Sequence, residues 1–202
     1  MNNLFVIVLT GGPGGGKTTF IEELSRDPSW SGRIAALPEA IYLMSRSGIS
    51  AREKSYQREM VRLQIVQEDR LLRNLNNENR RIILCNRGSL DPLAYWLDRG
   101  WAEEEFFAYT HTSREEAYRR YAAVLHLVTT ADGAEKAYRR WPEDQRSETI
   151  AEAVRLDRLL QQVWGEHPHY HSIGNESIDW AEKSRRAKRI LETFLPDRIS
   201  PG

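Results

Sequence analysis

The chain has no excess charge of either sign: 29 lysines and arginines stand against 29 aspartates and glutamates among its 202 residues. Broad nonspecific nucleic-acid binding needs a net basic surface or a basic stripe, so this balance argues against it. Cysteine is nearly absent. The single Cys85 excludes an intrachain disulfide and fits a reducing compartment. No apolar run approaches the roughly 20 residues of a membrane helix. No repeat, low-complexity stretch or linker divides the chain. Met1 to Leu9 is apolar but carries no basic n-region and runs straight into glycines instead of a cleavage site, so it reads as a buried strand and not a signal peptide. These absences lead to the expectation of a cytoplasmic protein forming one domain over residues 1–202, with no membrane span.

What is present alternates between two periodicities. Short apolar runs at 4–9, 33–37, 81–85, 121–128 and 170–173 read as strands. Between them, apolar residues at helical spacing predict helices over 17–26, 51–77, 91–98, 101–109, 142–164 and 180–195. Strands alternating with helices demand a parallel sheet with right-handed crossovers, hence an α/β fold.

The strongest local signal is Gly11-Gly12-Pro13-Gly14-Gly15-Gly16-Lys17-Thr18-Thr19, which satisfies G-x-x-x-x-G-K-[ST] in full. It also has the required context, an apolar strand before and an amphipathic helix after. Glycines let backbone N–H groups close around a phosphate, and the helix N-terminus adds favourable dipole charge. In this reading Lys17 lies between the β- and γ-phosphates, the Thr18 hydroxyl ligates magnesium, and Thr19 donates to the α-phosphate. The implied ligands are ATP and Mg²⁺.

Ligands of open α/β sheets gather at the carboxyl ends of the strands. After the second strand comes Pro38-Glu39. The Glu39 carboxylate is a candidate base for a hydroxyl attacking the γ-phosphate, or a holder of a magnesium-bound water, against the alternative of a helix N-terminal glutamate stabilised by the dipole. After the third strand come Asn86-Arg87-Gly88 and Asp91. Asn86 stands where a magnesium-reaching carboxylate is common; it supplies no charge but can bind a magnesium-held water, and it joins Thr18 as a metal-site candidate. Arg87 offers a cation for a phosphate or a substrate carboxylate, or a structural salt bridge. Asp91 is either functional or an N-cap for a helix starting at Pro92.

Lys136, Arg139, Arg140 and Arg146, around Trp141-Pro142, suggest an arginine-bearing lid at about 131–147, against a solvated helix face. His167, His169 and His171 alternate in the manner of metal ligands or of a strand edge, and the lack of nearby cysteine or acid favours the edge. Tyr95, Trp96, Trp101, Phe106, Phe107 and Tyr109 are core candidates, some of them walls of an acceptor pocket. Asp157 falls on the apolar stripe of its helix and is expected to pair with an arginine.

The loop at 11–19, Pro38-Glu39-Ala40, Asn86-Arg87-Gly88 with Asp91 and Ala94-Tyr95, and Tyr121 to Thr129 together resemble a group of P-loop proteins. The likeness continues through Arg146, Glu148, Ala153, Asp157, Trp164, His167-Pro168, Ile173, Asn175 and Lys183. The group is the AAA-labelled ATPases related to nicotinamide-riboside-kinase-type domains and to a lipid-binding photoreceptor GTPase. More distantly, Glu39 and Asn86-Arg87-Gly88 lie where deoxynucleoside and thymidylate kinases keep a catalytic carboxylate and an acid–arginine pair. The resemblance implies a kinase-type, three-layer P-loop fold with strand order 2-3-1-4-5, and a loop at Gly174-Asn175 that touches the nucleotide base. The family usually has Asp where this chain has Asn86.

The resulting expectation is an ATP- and Mg-dependent phosphotransferase acting on a small hydroxylated, nucleoside-like acceptor. Lys17, Glu39, Arg87, Asp91, Arg139 and Arg146 are its catalytic candidates. The competing reading is a slow nucleotide-hydrolysing switch that binds a partner or lipid. The absence of an Asn-Lys-x-Asp guanine-reading motif leans towards ATP. A kinase of nucleic-acid ends is disfavoured by the balanced charge.

Overall fold

A computed structural model describes residues 4–44, 47–75, 81–138, 148–176 and 179–195. The chain runs β1 (Phe5–Thr10), α1 (Lys17–Arg26), α2 (Pro28–Ser31), β2 (Ile34–Leu37), α3 (Ile41–Met44), α4 (Lys54–Asn74), β3 (Ile82–Asn86) and α5 (Asp91–Asp98). It continues through α6 (Glu103–Thr110), α7 (Arg114–Arg119), β4 (Ala123–Leu127), a 3-10 turn at Glu135–Ala137, α8 (Ile150–Trp164), β5 (Tyr170–Ile173) and α9 (Trp180–Glu192). The five strands form one parallel sheet in the order 2-3-1-4-5, as the alternation of strands and helices and the family likeness together predicted.

Successive strand residues point to opposite faces, and both faces are covered, so the central strands are apolar throughout. Val6, Val8, Ile83 and Cys85 pack against α4, α5 and α8 through Val61, Leu93, Trp96, Leu160 and Trp164. Ile7, Leu9, Ile82 and Leu84 face α1 and α9 through Phe20, Leu24, Ala187 and Leu191. The register puts Leu9 beside Asn86 and Thr10 beside His126, which brings the ends of β1, β3 and β4 to one edge.

Several boundaries differ from the sequence reading. Helix α4 is trimmed to Lys54–Asn74. Helix α8 begins at Ile150 and not at 142, because Thr149 caps it: its Oγ1 accepts from the Glu152 amide at 3.2 Å while the Glu152 carboxylate accepts from the Thr149 amide at 2.7 Å. Helices α2, α3 and α7 are too short to show an apolar period. Helix α7 did carry a signal in Ser113-x-x-Glu116, where the Ser113 hydroxyl accepts from the Glu116 amide at 3.2 Å. Among the described residues, no helix is long and apolar enough to cross a membrane.

Candidate functional site

The glycine loop leaves β1 and enters α1 at Lys17. Gly16 adopts φ +92°, a left-handed conformation open to glycine, and the edge of Trp180 lies where a side chain would go, 2.3 Å from an ideal Cβ. The first turn of a helix leaves amides without intrahelical partners. Here the backbone amides of Gly14, Gly16 and Thr18 are bonded to no other described residue, and Thr18 and Thr19 face solvent. Lys17 is buried, and its ammonium donates to the carbonyls of Gly11 at 2.7 Å and Gly12 at 3.1 Å. The loop is thus a preformed anion cradle with its lysine folded across it.

The β4–α8 connector grips the apex of this loop. The Thr129 hydroxyl donates to the Pro13 carbonyl, the Thr130 hydroxyl donates to the Gly14 carbonyl at 3.1 Å, and the Tyr138 ring lies over Gly14. Thr129 closes the stretch 121–129 that carries the family resemblance, but nothing in the sequence marked Thr130 or Tyr138.

Beyond the loop, β2 and β3 deliver Glu39 and Arg87 to each other. Both are buried, and the Arg87 Nε donates to the Glu39 carboxylate. Arg87 Nη1 reaches Asp91 Oδ2 at 3.3 Å and the Gly11 carbonyl at 3.4 Å, and its guanidinium lies 5.5 Å from the Tyr95 ring centre. Burial works against its charge, yet Glu39, Tyr95 and Asp91 outweigh that penalty and hold its pKa well above the ordinary arginine value. Arg87 also has φ +75°, an uncommon conformation for a residue with a side chain and one that clusters at functional sites. Two buried atoms here lack partners among the described residues: Arg87 Nη2 and Asn86 Oδ1. Buried polar atoms are rarely left so, and a ligand is one explanation for two side by side.

Asp91 is not the helix N-cap of the sequence reading. It is the first residue of α5, and its carboxylate accepts from Thr10 Oγ1 and Trp164 Nε1, both at 2.8 Å, and from the Gly88 amide at 3.2 Å. With Arg87 as a fourth partner its lone pairs are committed, so it organises the loop 86–91. A second network braces that loop from below. The Ser89 amide donates to the Tyr121 hydroxyl at 2.7 Å, which donates to Glu68 at 2.8 Å, where Gln64 also donates at 2.8 Å. Desolvation raises the pKa of the buried Glu68.

Glu39, Arg87 and Asp91 line a cavity of about 400 Å³, walled by Tyr56, Gln57, Met60 and Gln64 of α4, by Tyr95, and by Glu148 and Glu152. Of the predicted aromatics, Tyr95 reaches this cavity, Trp96 and Phe106 are fully buried core, and Trp101, Phe107 and Tyr109 pack partly buried against that core. Gln57 and Gln64, both buried, carried no motif that could have marked them.

At the opposite end of the sheet edge, Asn175 donates to the carbonyls of Thr129 and Asp132, each at 2.8 Å, and accepts from the Lys183 ammonium at 2.9 Å. Its side chain therefore ties the β5 loop to the β4 connector. Lys183 also donates to the Val128 carbonyl at 2.5 Å, and desolvation lowers its pKa to about 8. Among the described residues Asp157 pairs with no arginine: its partners there are His126, Gln161 and the amides of Gly12 and Thr129. His167 is buried and bonded to the Tyr121 carbonyl and the His169 amide, which matches the strand-edge reading. No group of three or more His, Cys, Asp or Glu among the described residues is arranged to hold a metal by itself. The lid residues Arg139, Arg140, Trp141, Pro142 and Arg146 lie outside the described residues.

A parallel sheet in the order 2-3-1-4-5, with a complete phosphate loop after its central strand, defines a P-loop nucleotide-binding protein of the nucleoside-kinase-like fold. The chain belongs to the AAA domain family, whose model matches residues 6–183. Solved structures agree on the fold. A deoxyadenosine kinase from M. mycoides with dCMP and a flexible dCDP is 14% identical, with TM-score 0.63, 93% of this chain covered and 99% of that one. The same enzyme with dATP gives 13% identity, TM-score 0.54 and the same coverage. No curated protein matches the sequence.

Proposed function

We propose that the protein transfers the γ-phosphoryl group of ATP to a hydroxyl of a small, nucleoside-like acceptor held in the cavity beside the phosphate loop. The observation that carries this reading is the buried Glu39–Arg87 pair, which lines both the approach to the loop and the cavity. The loop amides and Lys17 bind the triphosphate, Lys17 turning from the Gly11 and Gly12 carbonyls to the phosphates. Glu39 accepts the proton of the hydroxyl as that oxygen bonds to the γ-phosphorus and the bond to ADP breaks, so ADP leaves. Arg87 supplies positive charge through Nη2, which has no partner among the described residues, and Asp91 keeps it in place.

The residues present fit a magnesium ion. Thr18 and Asn86 offer oxygen donors, the second of them buried with no partner among the described residues, and magnesium accepts few protein ligands beside water and phosphate. Bound there, it would neutralise phosphate charge. The loop held by Asn175 forms one edge of the site for the nucleotide base. The lid arginines Arg139 and Arg146 are proposed to close over the phosphates. The deoxyadenosine kinase likeness and the two carboxamides Gln57 and Gln64, whose donors and acceptors suit a heterocycle, support a nucleoside-like acceptor.

The test is steady-state ADP release from Mg-ATP with a panel of nucleosides, nicotinamide riboside, sugars and aminoglycosides. A large rise with one compound is the expected result. Asn86, uncharged at a strand end where a magnesium-reaching carboxylate would serve catalysis, favours the second reading, a slow hydrolytic switch. Tight nucleotide binding with slow release that no acceptor accelerates would select the switch.

A further inference from the structure

Asp157 sits on α8, remote in sequence from the loop, and is 1% exposed. One of its oxygens, Oδ1, accepts from the Gly12 amide at 2.7 Å, from the Thr129 amide at 3.1 Å, and lies 3.1 Å from His126 Nε2. The other accepts from Gln161 at 2.8 Å. Burial opposes its charge, but His126, Gly12 and Gln161 outweigh that and lower its pKa, so the carboxylate is ionised and can only accept. His126 Nε2 must then carry the proton.

The geometry around Gly12 makes this contact intimate. An ideal Cβ on Gly12 would lie 2.9 Å from the Asp157 Cβ and 3.0 Å from the Ala153 carbonyl oxygen, so α8 touches the loop backbone directly. A buried amide must have a partner, and Gly12 finds it in Asp157. The next carbonyls, of Pro13 and Gly14, accept from Thr129 and Thr130. One carboxylate oxygen therefore holds the start of the phosphate loop and the start of the β4–α8 connector at a single point.

We propose that Asp157 is a positioning residue for phosphate binding: by holding the Gly12 and Thr129 amides on one oxygen, it fixes the loop before nucleotide arrives and couples it to residues 129–138. It touches no phosphate itself. A loop of glycines loses much backbone freedom on ordering, and an anchor supplied by the fold removes that cost from binding. The proposal rests on the nucleotide-binding reading of the loop.

The experiment uses the full chain, with calorimetric titration of a non-hydrolysable ATP analogue plus magnesium, beside thermal denaturation. Asp157→Ala removes the anchor, and its expected dissociation constant rises at least about tenfold. Asp157→Asn keeps an acceptor oxygen and is expected to rescue much of that loss, to within about threefold to fivefold of wild type. Gln161→Ala cuts a bond on the other oxygen, so it should cost stability while leaving the dissociation constant unchanged. Should Asp157→Ala not fold, Asp157→Asn against Gln161→Ala decides: equal affinities with equal losses of melting temperature overturn the proposal. Asp157→Ala binding as wild type does also overturns it. Failure of the wild type to bind the analogue overturns the nucleotide-binding reading and this inference with it, a result distinct from an insensitive variant.

Discussion

Glu39→Gln removes one negative charge from a buried pair while keeping the shape of the side chain and one acceptor oxygen. The other oxygen contacts of Arg87 are long, 3.3 Å to Asp91 and 3.4 Å to the Gly11 carbonyl, so Glu39 dominates the orientation of its guanidinium. Deleting one partner of a buried ion pair costs about 3–5 kcal/mol. Glutamine still accepts from Arg87 Nε and Asp91 still faces the charge, so the expected loss of stability is smaller, about 1–3 kcal/mol. Turnover should suffer more. Loss of a positioned base typically slows reaction about 10²–10⁴-fold, or roughly 3–5 kcal/mol of barrier. Neither the loop amides nor Lys17 is touched, so nucleotide affinity should stay within about threefold of wild type. Three measurements check this: ADP release with the selected acceptor, calorimetric titration of the ATP analogue, and thermal denaturation. Turnover within about tenfold of wild type would refute Glu39 as the base. A parallel collapse of nucleotide binding and turnover would refute its assignment to the acceptor side.

Lys17→Ala should abolish detectable nucleotide binding, since charge-assisted bonds to phosphate are worth about 1.5–3 kcal/mol each; titration calorimetry reads it directly. Gly16→Ala combines φ +92° with a Cβ 2.3 Å from Trp180. It should destabilise the fold by at least about 1 kcal/mol, and adding Trp180→Ala should recover the steric share but not the backbone share, as chemical denaturation would show. Lys183 tests the electrostatics. Its folded pKa of about 8 lies below the ordinary 10.5, chiefly through desolvation, so the unfolded chain binds the proton more tightly. The penalty is fully present below pH 8 and fades as pH rises towards 10.5, a gain of about 3 kcal/mol that Lys183→Met should flatten. A wild-type stability that does not rise relative to the variant over that range would contradict the burial of the ammonium.

The sequence by itself determined the phosphate loop and the parallel sheet that carries it, because both are local signals. Residues 11–19 lie on a single turn between a strand and a helix, and apolar periodicity is set by neighbours along the chain. It also placed Glu39, Asn86 and Arg87 at strand ends, as the structure does. What they touch was not legible. Glu39 meets Arg87 across 48 positions, and Gly12 meets Asp157 across 145. For Asp157 the sequence showed a carboxylate on an apolar stripe, and an arginine was the natural guess. The tertiary structure instead supplies two backbone amides, which carry no signal in the sequence, and His126, which lies 31 positions away on strand β4. Likewise, the cavity exists only because α4, α5 and the start of α8 converge on the loop after β3. Such pairings are decided by which faces the packed layers bring together, a property of the whole sheet and its helices and not of any stretch of chain.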